Sequence, residues 1–151
     1  MSIALMILAM PGNEDFAREL AFAGGGDVGA IETRRFPDGE TYLRLLSPVK
    51  GRAVDVVATL AGPDPDFLRL AFTADAARAQ GAAHVRLVAP YLAYMRQDKA
   101  FKAGEAVTSD TFARLVSSLF DGLVTVDPHL HRRTALSDLY HIPAAAVHAA
   151  P

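Results

Sequence analysis

The chain has 151 residues, 51% of them hydrophobic, a formal net charge of -2 and no cysteine. That length supports one domain with a substantial core and is short for two. The composition excludes disulfides and thiolate metal centres, gives no long-range attraction to nucleic acid or an anionic membrane, and no apolar run approaches the roughly 20 residues of a membrane-spanning helix.

In chain order, a first strand is predicted at Ile3 to Leu8. The apolar opening has no basic flank of the kind a signal peptide carries, and with no cysteine the expected compartment is the cytoplasm. Asn13 is placed to cap a helix through Ala23, with Phe16 and Leu20 on its apolar side and Gly24-Gly25-Gly26 to end it. Strands are predicted at Ala30 to Arg35 and Thr41 to Leu45. Phe36-Pro37-Asp38-Gly39-Glu40 joins them with turn chemistry and no room for a helix, so this pair reads as a hairpin. After a strand at Val54 to Thr59, Asp64-Pro65 has the cap-then-proline pattern of a helix start, and that helix should run to about Gln80 and stop at Gly81.

The next strand, Val85 to Ala89, runs into Pro90-Tyr91-Leu92-Ala93-Tyr94-Met95-Arg96-Gln97-Asp98-Lys99. Thr108 or Ser109 can cap a third helix, in which Phe112, Leu115, Val116, Leu119 and Phe120 form one stripe. Asp121-Gly122 turns into a strand at Leu123 to Val126, and a last strand is expected at Ala145 to His148. Alternating strands and helices, with near-continuous apolar strands, predict an α/β fold: a doubly wound, mostly parallel sheet with helices on both faces and a small β-hairpin excursion. The chain stops at Pro151 before the helix that should follow, as a domain cut from a longer protein would.

Chemistry in such a fold belongs outside the carboxyl ends of the strands. Three polar groups fall there: 36–40, 96–102 and Asp127-Pro128-His129-Leu130-His131. Arg96 has a planar fork suited to phosphate oxygens, Gln97 offers donor and acceptor, and Asp98 and Lys99 add opposite charges. Each group also has a plain reading: a tight turn at Asp38-Gly39, a solvated loop at Arg96 and Lys99, a hydrogen-bonded structural histidine at His129. The His129-x-His131 pair can ligate zinc, but one strand-end histidine beside Asp127 better fits magnesium, which takes few protein ligands and fills its shell with water and phosphate. Neither a Walker A loop nor a Gly-x-Gly-x-x-Gly fingerprint is present.

Taken together, Arg35-Phe36-Pro37-Asp38-Gly39-Glu40, Pro90-Tyr91 through Arg96-Gln97-Asp98-Lys99, and Val126-Asp127-Pro128-His129 resemble, in order and spacing, the ribose-phosphate pyrophosphokinase family. The resemblance spans the chain and implies a phosphoribosyltransferase-like amino-terminal domain, residues 1–151, whose ribose-phosphate-binding second domain is not in this sequence. It implies an enzyme that transfers pyrophosphate from ATP to ribose 5-phosphate with Mg2+, although this fragment alone should not turn over. Phe36, Asp38, Gly39 and Glu40 would meet adenine, commonly across a subunit boundary in a homo-oligomer. Arg96, Gln97, Asp98 and Lys99 would hold ATP, and His129 with Asp127 would place the metal. No nucleic acid or membrane partner is implied.

Two departures stand out. Pro128 precedes the histidine and Leu130-His131-Arg132-Arg133 follows it, where the family has small and amide residues. Phe101-Lys102-Ala103-Gly104-Glu105 is similar to the archaeal-type branch. Two other readings remain open: a non-catalytic regulatory paralogue that serves as an interaction domain, and a phosphoribosyltransferase-related enzyme.

Overall fold

The computed structural model describes residues 2–149. Its main sheet has six strands: β1 (Leu5–Ala9), β2 (Asp27–Val28), β5 (Ala53–Val57), β6 (His84–Ala89), β7 (Gly122–Val126) and β8 (Ala144–Val147). They lie in the order β2-β1-β5-β6-β7-β8, and every pairing is parallel. β3 (Ile31–Arg35) and β4 (Thr41–Leu45) form a separate antiparallel hairpin, as the turn chemistry predicts. Three helices, α1 (Glu14–Gly24), α2 (Phe67–Ala79) and α3 (Thr108–Leu119), complete the fold.

Side chains alternate across a strand, so each strand feeds two layers. Met6, Leu8, Val54, Val56, Val85, Leu87 and Leu123 point into the larger core, where they meet Leu70, Ala74 and Ala77 of α2 and Phe112, Ala113 and Val116 of α3. On the opposite face, Ile7 and Val57 pack with Ala17, Phe16 and Leu20 of α1. Helices therefore flank both faces, but among the described residues α1 is the sole helix on its side and covers only the β1 end. Towards β8 the same face leaves Val147 and Ala145 exposed.

One charge interrupts the central strand. Asp55 is 6% exposed between Val54 and Val56, and β6 sets Arg86 directly opposite it in register. The guanidinium donates two bonds, Nε to Oδ1 at 2.7 Å and Nη2 to Oδ2 at 2.8 Å. A planar fork meeting a carboxylate satisfies both charges in the smallest space.

Several boundaries differ from the sequence expectation. β1 begins at Leu5 rather than Ile3, and β2 is too short to show a period of two. Asn13 does not cap α1 with its side chain. Its Oδ1 accepts from the Thr59 N–H at 2.9 Å and its Nδ2 donates to the Met10 carbonyl at 3.2 Å, so it bridges the ends of β1 and β5 instead. Asp64–Asp66 forms a 3-10 turn ahead of α2, with the Asp64 carboxylate accepting from the Tyr94 hydroxyl. Val107, not Thr108 or Ser109, takes the cap position of α3. The predicted end of α1 holds: Gly25 adopts φ 80° and donates to the Ala21 carbonyl.

Removing Arg86 strands a buried carboxylate, whereas removing Asp55 releases an arginine that is already 43% exposed to water. Arg86→Met should therefore lower unfolding free energy by about 3–5 kcal/mol, and adding Asp55→Val should recover part of that loss. Equal destabilisation by each single variant in urea titrations contradicts this account.

Asp121 joins three elements, accepting from the Val85 N–H at 2.8 Å and from Arg78 Nη1 at 3.1 Å. Burial opposes its ionisation, but the Val85 N–H and Arg78, with a smaller field from His84, hold the carboxyl below its ordinary 3.8. A depressed carboxylate stabilises the fold above its unfolded value and loses that contribution as pH falls through the folded one. The melting temperature should drop more steeply below about pH 4 in the unmodified chain than in Asp121→Asn, and superimposable acid profiles exclude the role.

Candidate nucleotide and metal cleft

The carboxyl ends of β6 and β7 lie side by side, and the loops leaving them wall a cleft of about 620 Å³. Tyr91, Tyr94, Met95, Arg96, Gln97 and Phe101 come from the β6 side, Asp127, Pro128 and His129 from the β7 side, and Thr108 from the start of α3. Parallel pairing makes this meeting obligatory, because it brings adjacent strands to one rim.

Four residues singled out in the sequence share this cleft: Arg96, Gln97, Asp127 and His129. Arg96 is exposed and has neither a carboxylate nor a hydrogen-bond partner among the described residues. Gln97 donates through Nε2 to the Lys99 carbonyl at 2.9 Å, which fixes its amide and leaves Oε1 to accept. His129 stacks on His131, ring centres 5.4 Å apart and planes at 14°. No set of three or more His, Asp or Glu side chains among the described residues could hold a metal alone. The cleft offers His129 as a single imidazole donor, whereas magnesium ordinarily takes one or two carboxylates together with water and phosphate oxygens.

Asp127 lines the cleft, but its carboxylate turns towards β8. Oδ1 lies 3.0 Å from His148 Nδ1 and Oδ2 accepts from the Ala149 N–H at 3.1 Å. His148 and then that N–H hold the Asp127 carboxyl below its ordinary range. Asp98 and Lys99 do not line the cleft. The Asp98 carboxylate is buried against Arg132, and the Lys99 ammonium sits 5.1 Å from the centre of the Phe101 ring.

The 36–40 segment also stands apart, at the tip of the β3-β4 hairpin. Asp38 Oδ1 accepts from the Glu40 N–H at 3.0 Å, and Gly39 adopts φ 92°, a turn that favours glycine. Phe36 meets Tyr42 edge-on with ring centres 5.9 Å apart, while the Arg34 guanidinium lies 4.3 Å from the Tyr42 ring centre and 4.9 Å from that of Phe36. Arg35 donates to the Pro65 carbonyl at 3.0 Å, anchoring the tip to the approach of α2.

Tyr94, Phe101 and Thr108 enter the cleft without having been singled out as site residues. Tyr94 and Asp127 are the non-glycine residues with positive φ among those described, at 58° and 40°. Both follow a strand that feeds the cleft, the kind of position where backbone strain gathers. The repeated tyrosines near Arg96 were the available signal.

A family model described as the N-terminal domain of ribose phosphate pyrophosphokinase matches residues 5–119. The chain belongs to this family. It is 36% identical over 146 residues to a ribose-phosphate pyrophosphokinase of Methanopyrus kandleri, covering 97% of this chain and 49% of that protein. The enzyme of the same name from Halobacterium salinarum is 35% identical over 146 residues, with 97% and 50% covered. A crystal structure of phosphoribosylpyrophosphate synthetase from Mycobacterium smegmatis matches with a TM-score of 0.85 at 24% identity, over 97% of this chain and 49% of that one. That likeness fixes the fold, and the chain spans about half the length of the curated relatives it matches.

The Asp127 clasp gives a direct expectation. In Asp127→Ala the Ala149 amide loses its acceptor and should exchange with solvent about tenfold faster, as amide-resolved hydrogen exchange can measure. Unaltered exchange there removes the clasp.

Proposed function

We propose that residues 1–151 form the amino-terminal, ATP-side domain of a ribose-phosphate pyrophosphokinase, and that a ribose-phosphate-binding domain follows in the whole protein. The observation that supports this most is the convergence of an arginine without a partner among the described residues, a fixed amide and a histidine on one cleft in a chain of this family. In the whole enzyme the β,γ-pyrophosphoryl group of ATP passes to the anomeric hydroxyl of ribose 5-phosphate and AMP leaves. Transfer at phosphorus depends mainly on alignment and charge stabilisation.

Each cleft residue has a task in that scheme. Arg96 spreads its charge over the polyphosphate through a two-pronged contact. Gln97, locked by the Lys99 carbonyl, presents Oε1 as a fixed acceptor to the nucleotide. His129 is the residue that would hold Mg2+, with Asp127 supporting the local backbone from its clasp on β8. When bound, the ion offsets phosphate charge and orients the pyrophosphoryl group. Phe36, Asp38, Gly39 and Glu40 reach the adenine of a neighbouring copy in a cytoplasmic homo-oligomer, and their exposed hairpin suits that reach.

Calorimetry with magnesium-ATP tests the reading. Arg96→Ala should weaken binding by about 10- to 100-fold, and His129→Ala should remove most of the magnesium dependence while nucleotide still binds weakly. Binding should also strengthen as protein concentration rises and copies associate. Full affinity and full magnesium dependence in both variants would overturn the assignment.

A further inference from the structure

The loop after His129 carries two arginines that reach across to the other wall of the cleft. Arg132 Nη1 donates to Asp98 Oδ1 at 2.9 Å, and Arg133 Nη2 donates to Asp110 Oδ1 at 2.6 Å. Asp98 directly follows the cleft residues Arg96 and Gln97, while Asp110 lies in the first turn of α3, two residues from Thr108. The Asp98 side chain is 4% exposed, against 41% for Arg132, so the carboxylate depends on this partner far more than the guanidinium does. Arg132 also sits 5.0 Å from the Phe101 ring centre and Lys99 5.1 Å from it, so two cations contact an aromatic wall of the cleft.

We infer that Arg132 is a positioning residue: through the buried Asp98 carboxylate it clamps the loop bearing His129 onto the loop bearing Arg96. It acts without touching nucleotide. The clamp joins segments 34 residues apart in sequence, so neither loop can fix the spacing alone. Burial disfavours the Asp98 anion, but the Arg132 hydrogen bond and charge more than offset it, with a backbone N–H and Arg133 adding to them. Arg132 lies in the Leu130-His131-Arg132-Arg133 stretch that follows His129 directly. Arg133 to Asp110 ties the same loop to α3 and keeps Arg132 on the Asp98 side.

The nucleotide arm of the test rests on the function proposed above, and a nucleotide-free arm does not. In calorimetric titrations of the 151-residue chain with magnesium-ATP, Arg132→Gln and the isosteric Asp98→Asn should each weaken binding by about tenfold. The double variant should lose no more than either single one, and Arg132→Lys should restore most of the affinity. Without nucleotide, amides of residues 128–134 should exchange faster in Arg132→Gln. Losses that multiply in the double variant would show Arg132 acting on the nucleotide itself and overturn the clamp, as would unchanged exchange. If the unmutated chain binds no magnesium-ATP, the nucleotide reading falls, while the exchange result still decides the clamp in either direction.

Discussion

Parallel hydrogen bonding is the constraint from which the rest of this structure follows. Two parallel strands cannot be joined by a tight turn, so each link between them must travel back over a face of the sheet. The carboxyl ends of β1, β5, β6, β7 and β8 consequently emerge along one rim. That rim is where backbone leaves its ladder and side chains become free to face a ligand. β6 and β7, adjacent in the sheet, deliver Arg96, Gln97 and His129 there through the loops that follow them.

Keeping a rim in shape takes more than the ladder, because loops have lost their regular hydrogen bonds. This chain fastens them with charge and amide groups in pairs distant in sequence. Asn13 links the ends of β1 and β5, Asp127 links β7 to β8, and Arg132 links the two loops that wall the cleft. Within the sheet, Asp55 and Arg86 do the same across a central ladder. The separations run from 21 residues for Asp127 and His148 to 46 for Asn13 and Thr59.

That range explains what could be read from the sequence. The stripe containing Phe112 and Val116 and the glycines after Ala23 are local signals, and the helices they predict are present. Strand-end placement likewise led to Arg96 and His129, because strand order and parallel pairing turn a position in sequence into a position on the rim. Side-chain partners across long separations left no such trace. Asn13 has every attribute of a cap, yet its oxygen serves Thr59; Asp98 sits inside a motif that resembles an ATP segment, yet its carboxylate serves Arg132. β2 escaped notice because two residues carry no period, and the tip at Asp38 was legible as a turn but not as a prong standing outside the cleft.

The hairpin of β3 and β4 shares no ladder with the main sheet; its larger contact is with α2. Nothing in the register of β1, β5, β6, β7 and β8 therefore records how long that prong is or what its tip says. The length of the prong is set by its own turn and by its contact with α2, without re-threading the core, whereas one residue added to β6 would invert every side chain beyond it.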